Sequence, residues 1–147
     1  MAIERRAHAR WEGDLRGGSG QFDLTSSHSA ESQPVTFASR FEEEAGGKTS
    51  PEELIAAAHA TCLSMALANG LAQEGHPPKS LETDAVCTLD RANGGFRITS
   101  MHLTVRGDVD GLDEDGFRRA AEDAKENCPV SQALAGNLEI TLDASLA

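Results

Sequence analysis

The sequence predicts an α+β domain spanning residues 1–147, with mainly antiparallel sheet and two long helices. Three observations carry that expectation. Alternating stretches cluster before residue 40, between 80 and 109, and after 136. An apolar run from Leu54 to Ala68 sits between the first two clusters, and a helical stripe over residues 113–127 sits between the last two. Strands, helix, strands, helix and strand in that order argue for α+β rather than a parallel α/β sheet.

Each element has a local reason. "IERRAHARWEGD" and "GSGQFDLTS" alternate loosely around the Gly17-Gly18 turn and predict a hairpin. "PVTFASRFE" is a third strand candidate, which places Arg40 inside a strand. Ser50, Pro51 and Glu52 supply an N-cap, a first-turn proline and a first-turn acid, so a helix starts at about Pro51 and stops near Glu74, before Gly75 and Pro77-Pro78. "SLETDAVCTLD" and "FRITSMHLTVRGDV" are strands joined at "RANGG", a good hairpin turn. In residues 113–127 the positions Phe117, Ala120, Ala121 and Ala124 mark one face, and Cys128 continues that stripe. A short helical turn from Pro129 and a strand in "NLEITLDASL" complete the chain.

The first long helix is apolar almost all round, and a helix of that kind is expected to be covered on every side. One sheet covers one side. A second copy of the chain is the expected cover for the other, so an obligate homodimer follows.

With 24 acidic and 13 basic residues and a formal charge of -11, the surface repels nucleic acid and anionic lipid. The segment Leu54–Ala68 is short and interrupted by His59, Thr61 and Ser64, and the first residues hold no apolar run of signal-peptide length. No membrane association and a cytoplasmic location are expected. The three cysteines, at 62, 87 and 128, form no CxxC. In a reducing compartment they are core thiols, metal ligands or redox groups.

Cys128 precedes Pro129, which suits the first position of a helical turn, so Cys128 is placed as its N-cap, where unpaired N–H groups favour an anion. A small buried side chain is the plainer reading of either Cys62 or Cys128 alone. On the buried faces of two helices packed about 8–10 Å apart, however, the two thiols can meet, which suggests a reversible disulfide. Cys87, mid-strand and far from any turn, reads as packing. His59 shares a helical face with Cys62 and is either a cation that lowers the thiol pKa or a neutral core histidine. Glu52 lies ten residues before Cys62, about 15 Å along a continuous helix, so it reaches that site only from a partner subunit; otherwise it complements the helix dipole. Arg40 alone reads as a surface ion-pair partner.

"SPEELIAAAHATCLSMAL" together with "NCPVSQAL" resembles the OsmC/Ohr family of osmotically inducible and organic hydroperoxide resistance proteins. The similarity extends through "HARWEGDLRGGSG", the "RFE" segment, the hairpin around "RANGG" and the ending "LEITLD", and His59 is closer to the OsmC branch. The resemblance implies antiparallel sheets wrapped around two long helices in an intertwined homodimer. It implies a thiol-dependent peroxidase that reduces organic hydroperoxides, and more weakly hydrogen peroxide, without cofactor or metal. Cys62 then corresponds to the peroxidatic cysteine, Cys128 to the resolving cysteine, and Arg40 and Glu52 to the active-site arginine and glutamate. An external dithiol, such as a lipoyl group on a carrier protein, would reduce the disulfide. Two alternatives differ in class: a metal or small-ligand site made by His59, Cys62 and Cys128, and a stress-related dimer whose cysteines only pack.

Overall fold

The computed structural model describes all residues from 1 to 147, which form two compact units, Met1–Pro51 and Glu52–Ala147. The two units are described in turn.

The first unit is a three-stranded antiparallel sheet in the order β1 (His8–Glu12), β2 (Ser19–Asp23), β3 (Gln33–Thr36). The β1–β2 connection is tight. Gly18 donates its N–H to the Asp14 carbonyl at 2.9 Å, and a Cβ at Gly18 would lie 2.4 Å from the Glu12 carbonyl oxygen, so only glycine closes this turn. The third strand is shorter than its sequence pattern suggests. Thr36 and Ser39 form a reciprocal capping box, which ends β3 and starts a one-turn helix α1 (Phe37–Phe41). Arg40 thus stands on a helical turn and not in a strand, because two hydroxyls three residues apart offer the backbone a helical start.

The second unit holds α2 (Pro51–Gln73), β4 (Ser80–Ala92), β5 (Gly95–Asp108), α3 (Glu114–Asn127), α4 (Pro129–Leu134) and β6 (Glu139–Leu146). The end of α2 is a Schellman motif: Gly75, at φ +86°, donates to Ala72 and His76 donates to Leu71. Strands β4 and β5 form a long antiparallel hairpin whose two-residue turn, Asn93-Gly94, has both residues at positive φ. Strand β6 pairs parallel to β5, with α3 and α4 as the crossover. Parallel neighbours need such a connection, and the chain between β5 and β6 provides it.

The core of this unit comes from three faces. Leu63, Leu67 and Leu71 of α2 meet Met101, Leu103 and Val105 of β5 and Phe117, Ala121 and Ala124 of α3. Burying each leucine contributes about 1.5–3 kcal/mol. Gly107 is required where Phe117 packs, since a Cβ there would lie 2.5 Å from the ring. A hydroxyl pair, Ser64 Oγ and Thr83 Oγ1 at 2.7 Å, fixes α2 on β4.

Helix α2 is not covered on every side within one chain. Its buried side is Glu52, His59, Leu63, Leu67 and Leu71, while Leu54 and Met65 are exposed, with Ala58 and Thr61 between them at helical spacing. Its 23 residues reach further than the Leu54–Ala68 run and suffice, by length and composition alone, to cross a membrane. Its inner face is instead committed to the core described above.

Candidate functional site

Cys62 and Cys128 are brought together. Cys62 lies one residue before Leu63 on the flank of α2's buried stripe and is half-buried. Cys128 completes the buried stripe of α3. Pro129 decides how that helix ends: a residue before proline is forced out of the α region, and Cys128 adopts φ -63°, ψ 122°. It serves at once as the C-cap of α3, donating to Ala124 at 2.8 Å, and as the N-cap of α4, accepting from Gln132 at 3.0 Å. The bend leaves its thiol paired with that of Cys62, the two sulfurs 2.7 Å apart.

The expected N-cap role of Cys128 is therefore met by its backbone, while its side chain caps nothing. The amide of the α4 first turn acts on the other sulfur instead. The backbone N–H of Val130 donates to Cys62 and favours its thiolate. Against this, burial raises the Cys62 thiol above its ordinary value, and the hydrogen bond and charge of Cys128 raise it further. Ionising Cys62 thus calls for positive charge beyond what its immediate neighbours provide.

His59 is fully buried, and its Nε2 is paired with Ser131 Oγ at 2.7 Å. Burial lowers its pKa, so the ring is neutral at physiological pH. The cation reading of His59 gives way to the core reading. His59, Cys62 and Cys128 do not converge as a metal site, nor does any other group of three His, Cys, Asp or Glu side chains. Ser131 and Val130 were not singled out in the sequence. The signal was present for Ser131, a hydroxyl three residues after Cys128 in "CPVSQ", but only the bend at Pro129 turns it towards α2.

Cys87 faces inward from β4 and packs against the core, as its alternating strand predicts. Its surroundings include a group the sequence did not reveal. Burial raises its thiol pKa and the negative charge of Glu52 raises it further. Glu52 is buried in the first turn of α2, on the same chain and ten residues from Cys62 along an unbroken helix.

Arg40, in the first unit, holds its guanidinium 5.2 Å from the centre of the Phe41 ring, within cation–π range. It borders a cavity of about 490 Å³ whose other walls include Trp11, Leu15, Val35, Ser39 and Pro51. A cavity of that size with apolar walls and one guanidinium suits an organic molecule carrying a polar end.

A family model described as OsmC-like protein matches residues 44–143. The chain is 44% identical over 146 residues to the peroxiredoxin OsmC of Escherichia coli K12, covering 99% of each protein. It is 32% identical over 98 residues to an organic hydroperoxide resistance protein of Xanthomonas axonopodis pv. citri, covering 66% of this chain and 67% of the relative. In three dimensions it superposes on the crystal structure of the organic hydroperoxide resistance protein OhrB of Bacillus subtilis with a TM-score of 0.72 at 23% identity, covering 95% of this chain and 98% of that one. The α+β architecture, rich in antiparallel sheet, is thus the one shared by these proteins.

Proposed function

The chain belongs to the OsmC family, and on that premise we propose that Cys62 and Cys128 are the peroxidatic and resolving cysteines of its reaction. The protein is a thiol-dependent peroxidase that reduces organic hydroperoxides. The observation that carries the assignment of residues is the 2.7 Å approach of the two sulfurs, with the Val130 amide on Cys62 alone.

In the first step the Cys62 thiolate attacks the distal oxygen of the hydroperoxide. The O–O bond breaks, the alcohol leaves with a proton, and Cys62 becomes a sulfenic acid. Cys128 then attacks the Cys62 sulfur, forming the S–S bond and expelling the sulfenic oxygen as water. Proximity makes this second step fast relative to attack by another peroxide molecule, which would take Cys62 to sulfinic acid. The order of roles is the one the family resemblance implies; the Val130 N–H favours an anion on Cys62, while burial and Cys128 oppose it.

Burial works against the Cys62 thiolate, so a cation is needed, and we assign that role to Arg40. Glu52 is assigned as the carboxylate that orients the guanidinium, supplied by a second copy of the chain. The length of the unbroken α2 keeps a subunit's own Glu52 from its own Cys62. The exposed stripe of Leu54, Ala58, Thr61 and Met65 supports a homodimer packed through α2. A dithiol, such as a lipoyl group on a carrier protein, closes the cycle by exchange: it is oxidised to its cyclic disulfide and returns Cys62 and Cys128 to thiols.

The test is mass spectrometry with thiol mapping after one equivalent of cumene hydroperoxide. The native chain should lose two hydrogens and gain a Cys62–Cys128 bridge. Cys128→Ser should trap an oxide on Cys62. Unmodified thiols, or oxidation scattered over Cys87, would refute the assignment.

A further inference from the structure

We propose that His59 and Ser131 are a positioning pair for this reaction: their buried hydrogen bond clamps the first turn of α4 onto α2 and so sets the approach of Cys128 to Cys62. The proposal deepens the peroxidase reading and rests on the same thiol pair.

Three observations support it. The first is placement. His59 is one turn before Cys62 on α2, and Ser131 is three residues after Cys128 on α4, so one hydrogen bond of 2.7 Å ties together the two segments that carry the sulfurs. The second is what α4 delivers. Its first turn supplies both the Cys128 thiol and the Val130 N–H to Cys62, and a shift of that turn by a fraction of an ångström alters both contacts together. A six-residue helix following a proline bend has little of its own to fix its register.

The third observation is an unmet cost. His59 is wholly buried, Ser131 nearly so, and His59 Nδ1 has no protein partner. A buried polar atom without a partner is destabilising, and each such atom in a native fold calls for an explanation. Leucine occupies the equivalent inward positions 63, 67 and 71 of the same helix without that cost. A histidine at position 59 is accounted for if its one satisfied atom, Nε2, has a task. The partner it holds is on α4 and nowhere else.

The ring does not reach the substrate in this scheme. It acts through Ser131 and the α4 backbone, and neutral imidazole suffices, as its burial dictates.

The measurement is the equilibrium between the Cys62–Cys128 dithiol and oxidised dithiothreitol in the full chain, with the bridge quantified by thiol mapping. This exchange needs no peroxide: two protein thiols are oxidised as dithiothreitol is reduced. Ser131→Ala removes one oxygen from a small side chain and should lower the equilibrium constant about five- to tenfold by lowering the effective concentration of one thiol at the other. His59→Leu should do the same, and the double variant should fall no further than either single one, since both remove one interaction. His59→Gln places an amide nitrogen near the position of Nε2 and should stay within about twofold of the native protein. In the same variants, peroxide should divert Cys62 from bridge to sulfinic acid. Unchanged equilibrium constants in Ser131→Ala and His59→Leu, or losses that add in full, would overturn the pair. If the constants fall as expected while the native Cys62 resists peroxide, the positioning pair stands and the peroxidase reading fails.

Discussion

Helix α2 governs two cysteine environments of opposite character. Near its first turn, the Cys87 thiol on β4 faces the buried carboxylate of Glu52; three turns on, Cys62 faces another thiol and a backbone N–H. Both sulfurs are partly buried, and burial raises both pKa values. The facing groups separate them. A carboxylate only adds to the cost of a thiolate; Cys128 adds to that cost at Cys62 as well but offers a bond to make, and the Val130 N–H offsets part of it. Burial of a thiol therefore says little about reactivity until the groups facing it are known.

The sharpest way to break this contrast is to remove the sulfur proposed to attack the peroxide. Cys62→Ser should lower hydroperoxide turnover by about three orders of magnitude or more, measured as peroxide consumed with a dithiol present. Cys128→Ser comes next. Its first oxidation should proceed, but no bridge forms, and turnover should fall at least about tenfold as Cys62 accumulates sulfinic acid under excess peroxide. A protein with full turnover after either change would erase the distinction between the two sites.

Glu52→Gln probes the other environment. Removing the negative charge should bring the Cys87 pKa down towards its ordinary value while the contribution of burial remains. At fixed pH near 8 the thiolate fraction then rises, and iodoacetamide should label Cys87 several-fold faster. No acceleration would mean that Glu52 is not what keeps Cys87 protonated.

A pH effect sharpens the Cys62 side. His59 has a folded pKa below the ordinary 6.5, so the unfolded chain binds the extra proton first. Above about pH 6.5 the ring is neutral in both states and costs nothing; as pH falls below that value, stability is lost until the folded ring also protonates. Urea melts between pH 7.5 and 5.5 should show a drop that is shallower in His59→Leu. The smallest effect belongs to Cys87→Ser, which should leave turnover within about twofold, as expected of a residue that only packs.

Much of this was legible in the chain. The stripe Phe117, Ala120, Ala121, Ala124, Cys128 predicted which face of α3 is buried, with Ala120 at its edge, and it is the face that carries Cys128. The Asn93-Gly94 turn and the Gly75 stop were readable because positive φ at those points leaves few residue choices. Arg40 was misplaced in a strand because "PVTFASRFE" alternates well enough to mask the Thr36–Ser39 capping box, a competition decided by side-chain hydrogen bonds and not by hydropathy. The parallel pairing of β6 was also hidden, since strand direction depends on the route of the crossover.

By itself the sequence determined the helices α2, α3 and α4, where Pro129 and Gly75 interrupt them, and that Cys62 and Cys128 lie on or beside buried helix faces. These are short-range matters, set by steric limits on φ and ψ and by the period of the apolar residues. Only the tertiary structure decided that the Val130 amide serves Cys62 and not Cys128, that His59 answers to Ser131, and that Glu52 burdens Cys87. Those pairings join residues 35 to 72 positions apart or turn on the direction of one N–H bond, and such directions are fixed when helices pack, through contacts that no local pattern encodes.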